Sequence, residues 1–329
     1  MSYLSRILAT WYDAHARPLP WRSSRDPYKI LVSEIMLQQT RVAAVIPFYA
    51  AFLTKFPTVD ILAAAPEPVL LAAWSGLGYY SRARNLQKAA KIIADAGAFP
   101  TSYDQIRQLP GVGDYTAAAV ASIAFGLAHA AVDGNVIRVA SRISAEKGDI
   151  GSAVVRKRLT AVSESLLDRK NPGRHNQAMM ELGATICLPR DPKCPECPVE
   201  KYCQARSAGI ERELPLKQKK TLMFRVDRRL LLVKKEGKIL LWQRPADSKK
   251  MAGFWELPEA EMLPGAVEGK CLGSFNHSIT NHIYRFELVS ASVEKIPVGF
   301  KLMNGKDLAH QPMSTTTRKA LQKLTVETL

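Results

Sequence analysis

The stretch LPGVGDYTAAAVASIA, residues 109–124, is a glycine-punctuated turn that runs straight into an Ala-rich helix. Gly111 and Gly113 stand two apart, so a tight turn can point several backbone N–H groups one way. The helix N-terminus behind them adds its dipole. Such a corner can cradle an anion, phosphate above all. A plain helix–helix turn has the same pattern, and both readings stand on these residues alone. Either one places a helix–turn–helix corner in the first half of the chain.

Working outward from that corner, residues 1–206 read as helical. Asp26-Pro27 is a helix start, an N-cap acceptor followed by Pro at the first helical position. Apolar residues follow at helical spacing: Ile30, Leu31, Ile35 and Leu37. The spacing predicts further helices near 42–55, 67–75, 80–96, 102–109, 114–127, 153–168 and 174–186, punctuated by Pro and Gly. The texture changes after Arg206. The charged, Pro-containing run ERELPLKQKK, residues 211–220, reads as a linker. Beyond it, Arg229–Val233 and Lys238–Gln243 read as strands around a Glu236-Gly237 turn, Ile283–Ser290 as another strand, and Thr317–Leu324 as a closing helix.

The chain has 329 residues, 47% apolar and 23% charged, a globular composition that excludes disorder and is long enough for two domains. It carries 46 Lys and Arg against 30 Asp and Glu, a formal charge of +16. The excess is even: residues 1–206 hold 25 basic and 17 acidic side chains, residues 207–329 hold 21 and 13. Both halves are therefore drawn to a polyanion, nucleic acid being the commonest. No targeting segment or bilayer-spanning run is visible. The expectation is a soluble cytoplasmic, nucleoid-associated protein that does not engage membranes.

Four of the five cysteines fall together: Cys187, Cys194, Cys197 and Cys203, spaced C-x6-C-x2-C-x5-C. In a reducing compartment this spacing argues against disulfides. Structural zinc favours two C-x2–4-C knuckles, whereas one knuckle with wider arms suits an iron–sulfur cube better. Zinc, or thiols without metal, remain open on spacing alone.

Two carboxylates attract attention. Glu34, in SEIMLQQT (residues 33–40), has Ile30, Leu31 and Leu37 as its helical neighbours. A carboxyl on an apolar face has its charged form disfavoured and its pKa raised, as a general acid near neutrality requires. A half-exposed Glu at the edge of the stripe is the alternative. Asp133, in VDGNV (residues 132–136), follows the Ala-rich helix and can cap the next one. At a helix N-terminus it would be held ionised, able to stabilise a developing cation. Two carboxyls pushed apart in pKa form the acid-and-stabiliser pair of glycosidic bond cleavage.

In order along the chain, PWR (20–22), DPY (26–28), SEIMLQQT (33–40), GLGYYSRARNL (76–86), LPGVG (109–113), VDGNV (132–136), NQAMMELG (176–183) and the four cysteines make a long, specific motif set. On these the chain resembles the helix–hairpin–helix DNA glycosylases that carry a [4Fe–4S] cluster, and within them the MutY family of adenine DNA glycosylases. The resemblance implies an all-α helix–hairpin–helix glycosylase domain over residues 1–206, with the iron–sulfur loop at 187–203. A linker at 207–222 and a small α+β, Nudix-like domain at 223–329 follow. It implies a base excision repair enzyme, expected to be a monomer. The enzyme would act on double-stranded DNA, flip out adenine mispaired with 8-oxoguanine or guanine, and hydrolyse its glycosidic bond.

By the same resemblance Glu34 protonates the leaving adenine, and Asp133 stabilises the oxocarbenium-like sugar or a covalent intermediate, with support from Tyr115 and Asn135. Trp21, Arg22 and Gln177 match adenine-pocket positions. Gln39 and Tyr79 match residues that wedge into the duplex, and Gly111 and Gly113 match the phosphate-binding hairpin. Cys187, Cys194, Cys197 and Cys203 would hold the cluster. Endonuclease III-like relatives place a catalytic Lys where this chain has Tyr115. Without that amine no Schiff base forms, so the product is an abasic site. In the second domain GFWELP (253–258) matches the Nudix-like turn, yet no Glu-Glu dipeptide exists for a metal-binding box. That domain is then a recognition module, reading 8-oxoguanine through Phe275, Asn276 and His277, where Asn276 replaces the family's usual Ser.

Rival classes fare worse. A zinc deaminase needs H-x-E, and no His here is followed two residues later by Glu. A non-enzymatic mismatch binder would be free to lose Glu34 or Asp133, and the chain keeps both.

Overall fold

The computed structural model of the chain describes residues 3–218, 222–245, 247–248, 251–279, 281–309 and 311–326. The chain divides into two compact units, residues 1–65 with 81–219, and residues 66–80 with 220–329. The stretch 66–80, which the sequence reading keeps with the first domain, clusters with the second unit.

The first unit is helical. Its elements are α1 (Tyr3–His15), α2 (Pro27–Leu37), α3 (Val42–Lys55) and α4 (Val59–Ala64), then α6 (Ser81–Asp95), α7 (Tyr103–Arg107), α8 (Asp114–Phe125), α9 (Gly134–Ile143), α10 (Ala153–Leu166), α11 (Pro172–Thr185) and α12 (Gln204–Ser207). Between α4 and α6, in the other unit, lies α5 (Glu67–Ala73). The start of α2 follows the sequence reading: the Asp26 carboxylate accepts from the Tyr28 and Lys29 amides, with Pro27 at the first position. Leu4, Leu8 and Tyr12 of α1, Val136 and Val139 of α9, and Ala178, Met179 and Leu182 of α11 form one core. The sequence reading misses α1, α4 and α12.

Two glycines set the approach of elements around the site. Gly111 has φ +79°, and a Cβ there would stand 2.8 Å from Asn85 Cβ. Gly183 lets α11 close on the start of α9, because a Cβ there would meet Asn135 Cβ at 2.7 Å. Gly126, φ +68°, ends α8 in the left-handed conformation.

The stretch 207–222 differs from its expected role as a linker. Leu214 is buried, its carbonyl accepts from Arg142 Nε at 2.9 Å, and Leu216 O accepts from the Ile150 amide at 2.9 Å. The segment up to residue 218 is therefore docked on the first unit. Polar, Pro-containing composition hides a single apolar anchor. Residues 219–221, part of the same expectation, lie outside the described residues.

In the second unit β1 (Phe224–Lys235), β2 (Lys238–Gln243), β3 (Trp255–Glu256), β4 (Val267–Ile279), β5 (His282–Ser292) and β6 (Phe300–Met303) form one sheet in the order β3-β2-β1-β5-β4, with β6 beside β2. The β1–β5 pair is parallel and the others are antiparallel. Glu236 and Gly237 both take positive φ in the turn from β1 to β2, the geometry a two-residue hairpin favours. Alternation along β1 sends Leu230 and Leu232 to one face, with Leu241, Phe286 and Leu288, and Leu231 and Val233 to the other, with Leu240 and Val289. The sheet centre is thus buried on both faces. Ala320, from the closing helix α14 (Thr315–Val326), completes the first; α13 (Gly305–Ala309) contributes Leu308 to the same cluster.

Candidate active site and cysteine cavity

A cavity of about 510 Å³ opens within the first unit. Two helices line it with matched faces: Ile30, Ser33, Glu34 and Leu37 of α2, and Gln177, Met180, Glu181 and Ala184 of α11. Both sets are spaced i, i+3, i+4, i+7, one helical stripe each. Tyr115 comes from the first turn of α8, Asp133 and Asn135 from the start of α9, and Trp21 and Arg22 from a short 3₁₀ turn, Pro20–Arg22. Eight of the residues singled out in the sequence therefore share one cavity: Trp21, Arg22, Glu34, Gln39, Tyr115, Asp133, Asn135 and Gln177.

Glu34 is buried at 5% exposure. Burial pushes its carboxyl up to about 7, the Tyr115 hydroxyl that donates to Oε2 at 2.6 Å pulls it down, and the nearby Asp133 charge pushes it up further. The apolar stripe around Glu34 thus has the expected consequence. Burial also raises the Tyr115 phenol well above its ordinary value, so it stays a donor.

Asp133 caps α9, its Oδ1 accepting from the Val136 amide at 2.7 Å and its Oδ2 from Asn135 Nδ2 at 3.0 Å. Asn135 Oδ1 accepts in turn from Arg138 Nη2 at 2.9 Å, which fixes the amide's orientation. The sequence reading has Asp133 held ionised by its helix terminus. In the structure burial raises its carboxyl above the ordinary value, while those hydrogen bonds and Arg138 oppose the rise. Helix-terminus donors are present as expected; the desolvation that outweighs them comes from tertiary packing.

Glu181 is the residue the sequence reading misses. It has no exposed surface, yet its oxygens accept from Arg17 Nε at 2.7 Å, Arg17 Nη2 at 2.8 Å and Arg22 Nη2 at 2.7 Å. Burial alone would raise it; the two guanidiniums hold it down to about 2. The signal was its position four residues after Gln177, on the same helical stripe. Gln177 accepts from the Tyr12 hydroxyl through Oε1 at 2.7 Å. The ring of Trp21, buried, meets Tyr49 edge-on at 5.5 Å.

Gln39 lies at the edge of this cavity, and the remaining expected residues lie outside it. Gln39 at its rim and Tyr79 in the second unit both adopt left-handed backbone conformations, φ 56° and 48°, and Tyr79 is 53% exposed. Strain of that kind persists where the fold imposes it. Gly111 and Gly113 lie exposed at the turn from α7 to α8, and Asp114 beside them pairs with Arg107. Phe275, Asn276 and His277 sit on β4, not in a loop. Phe275 stacks on Phe286, and His277 has Lys319 Nζ at 3.4 Å, whereas Asn276 is exposed and by strand alternation belongs to the opposite face. The three do not converge.

Cys187, Cys194, Cys197 and Cys203 line one small cavity of about 30 Å³. Buried Arg142 reaches into it: Nη1 donates to Cys187 Sγ at 3.2 Å and to Leu188 O at 2.7 Å, and its own carbonyl accepts from Cys203 Sγ at 3.3 Å. Burial raises the Cys194 and Cys203 thiols and pushes Cys197 up to about 12. Among the described residues no His, Cys, Asp and Glu side chains form a group that could hold a single metal ion. No helix among them is long and apolar enough to cross a membrane.

Residues 32–164 match the profile of the HhH-GPD superfamily base excision DNA repair proteins. Among curated proteins the chain is similar to the adenine DNA glycosylase of Homo sapiens, 46% identical over 63% of this chain and 40% of that protein. It is similar to that of Mus musculus, 32% identical over 96% of this chain and 76% of that protein. The chain thus spans well under half of the human relative and about three quarters of the murine one. Among solved structures, a thermostable thymine-DNA glycosylase aligns with TM-score 0.55 at 31% identity, over 62% of this chain and 95% of that one. An endonuclease III in a non-covalent DNA complex aligns with TM-score 0.53 at 25% identity, over 63% and 95%.

Proposed function

The chain belongs to the adenine DNA glycosylase family, and from that premise we propose that it hydrolyses the glycosidic bond of adenine mispaired with 8-oxoguanine or guanine in double-stranded DNA. One observation carries the chemistry. Glu34, with a carboxyl pushed up to about 7, shares a cavity with Asp133, Tyr115 and a set of base-sized walls. Adenine buried in a duplex cannot reach such a site, so the nucleotide is flipped into it.

Glu34, whose raised carboxyl can hold a proton near neutrality, gives that proton to the departing adenine. Positive charge then grows on the sugar. Asp133, with two donors fixing its oxygens, supplies the countercharge once ionised. Tyr115 holds Glu34 in place and, lacking an amine, forms no Schiff base with the sugar. Water completes the hydrolysis and an abasic site remains.

The cysteine loop suits a [4Fe–4S] cluster: four soft sulfur donors line one cavity, and a single C-x2-C knuckle with wider arms matches the corners of a cube. Cys187, Cys194, Cys197 and Cys203 would hold it, and its binding would tie residues 187–203 together. Arg142 orients the loop by holding Cys187 and Leu188. In the second unit Asn276 is the residue suited to lesion reading. It is exposed, and its amide oxygen can accept from the N7–H that distinguishes 8-oxoguanine from guanine.

The test is a duplex with one 8-oxoguanine:A pair. The expected result is free adenine, with strand scission only after alkali. Scission without alkali, or borohydride trapping of the protein on DNA, overturns the monofunctional reading. No adenine release overturns the activity.

A further inference from the structure

We propose that Tyr12 is a positioning residue that sets the base selectivity of the cavity by fixing which way the Gln177 carboxamide faces. The inference rests on the cavity's being the adenine site. Tyr12 is on α1, buried, and not part of the cavity wall. Its hydroxyl reaches past the wall and donates to Gln177 Oε1 at 2.7 Å. A carboxamide carries a donor and an acceptor on the two arms of one planar group, and a half-turn about its last bond exchanges them. With Oε1 engaged from behind, that half-turn would set the two N–H donors of Gln177 against a phenol O–H, which must then give up its acceptor.

The phenol is itself held. The Arg22 guanidinium lies 5.4 Å from the centre of the Tyr12 ring. Arg22 is anchored by Glu181 Oε2 at 2.7 Å and by the Arg17 carbonyl at 3.0 Å. Burial raises the Tyr12 pKa, so the hydroxyl keeps the proton it donates. The order of the groups is therefore fixed from Glu181 through Arg22 and Tyr12 to Gln177. The Gln177 amide meets an incoming base with one defined sense.

The consequence is chemical. Along one edge adenine offers an amino donor beside a ring-nitrogen acceptor, the pattern a Gln side chain matches with both arms. Hypoxanthine has a carbonyl where adenine has the amino group, so an acceptor replaces a donor there. An amide that cannot turn meets that carbonyl with its own oxygen. An amide free to turn offers N–H instead and admits the wrong base. Tyr12→Phe removes the hydroxyl and keeps the ring, and with it the packing against α9 and α11.

Single-turnover release of adenine and of hypoxanthine, each opposite the same base, is compared in the full chain and in Tyr12→Phe. The expected result is an adenine-over-hypoxanthine ratio lower by about tenfold in the variant, the size of one lost neutral hydrogen bond, with the fold retained. An unchanged ratio overturns the proposal, even if both rates fall together as a merely structural role would have it. Binding of free adenine and free hypoxanthine, measured by calorimetry, reads the same selectivity without catalysis. Should the chain release no base from DNA, loss of selectivity in this binding assay still supports the role of Tyr12. Equal preference in both proteins, or binding of neither base, rejects it.

Discussion

Two glutamates look into the same cavity from two of its walls, and their electrostatics are opposite. Glu34 on α2 is pushed up to about 7; Glu181 on α11 is held at about 2. Burial raises both. What separates them is company: Glu34 has a neutral phenol and a second carboxyl nearby, Glu181 has two guanidiniums within hydrogen-bond distance. One wall is therefore built to hold a proton and the other to hold a charge. The same residue type serves as an acid in one place and as an anchor in the other.

That contrast has a pH signature of opposite signs. The folded chain holds the Glu34 proton more tightly than the unfolded chain does. Its contribution to stability is complete below about 4.5 and is lost as pH rises through about 7. Glu181 contributes fully above about 4.5, and that contribution is lost as pH falls towards about 2.

The largest expected effect breaks the proton-holding wall. Glu34→Gln keeps the shape and removes the acid, so single-turnover adenine release should fall by roughly 10²- to 10⁴-fold with DNA affinity preserved. A variant within a few-fold of the parent would end the assignment. Glu181→Gln breaks the other wall. It leaves Arg17 and Arg22 short of their anion and should cost about 3 kcal/mol in urea unfolding, the low end for a broken buried pair because Arg17 reaches solvent. A loss indistinguishable from zero would mean the network does not hold the cavity.

Outside the cavity a lone contact replaces a convergent set. Asn276→Leu should lower preference for 8-oxoguanine over guanine by about 1–3 kcal/mol, the range for one base contact, as read from single-turnover rates opposite each base. Undiminished preference assigns the discrimination elsewhere. The finest test sharpens the contrast between the walls. Tyr115→Phe removes the one hydrogen bond that pulls Glu34 down, so the alkaline limb of the pH–rate profile should move to higher pH. A shift to lower pH would contradict that role.

The α2 wall was legible in the sequence because its signal is local. Ile30, Leu31 and Leu37 around Glu34 already specify an apolar helical face, and Asp26-Pro27 fixes where the helix begins. The cap at Asp133 was legible for the same reason. Its rise in pKa was not, because the burial behind it comes from tertiary packing, in a cavity walled by helices distant in sequence. Glu181 was hidden among ordinary helix residues, since its partners Arg17 and Arg22 lie more than 150 positions away. The segment 207–222 misled through composition, as one buried leucine decides its docking. Phe275, Asn276 and His277 are adjacent in sequence, yet strand alternation separates them.

The central claim is that Glu34 is a carboxyl poised near neutrality, and its titration in the full chain measures this directly. With glutamate labelled at the side-chain carboxyl by ¹³C, the resonance absent from Glu34→Gln identifies the residue. The account predicts a midpoint near 7. A midpoint near the ordinary 4.5 would contradict it.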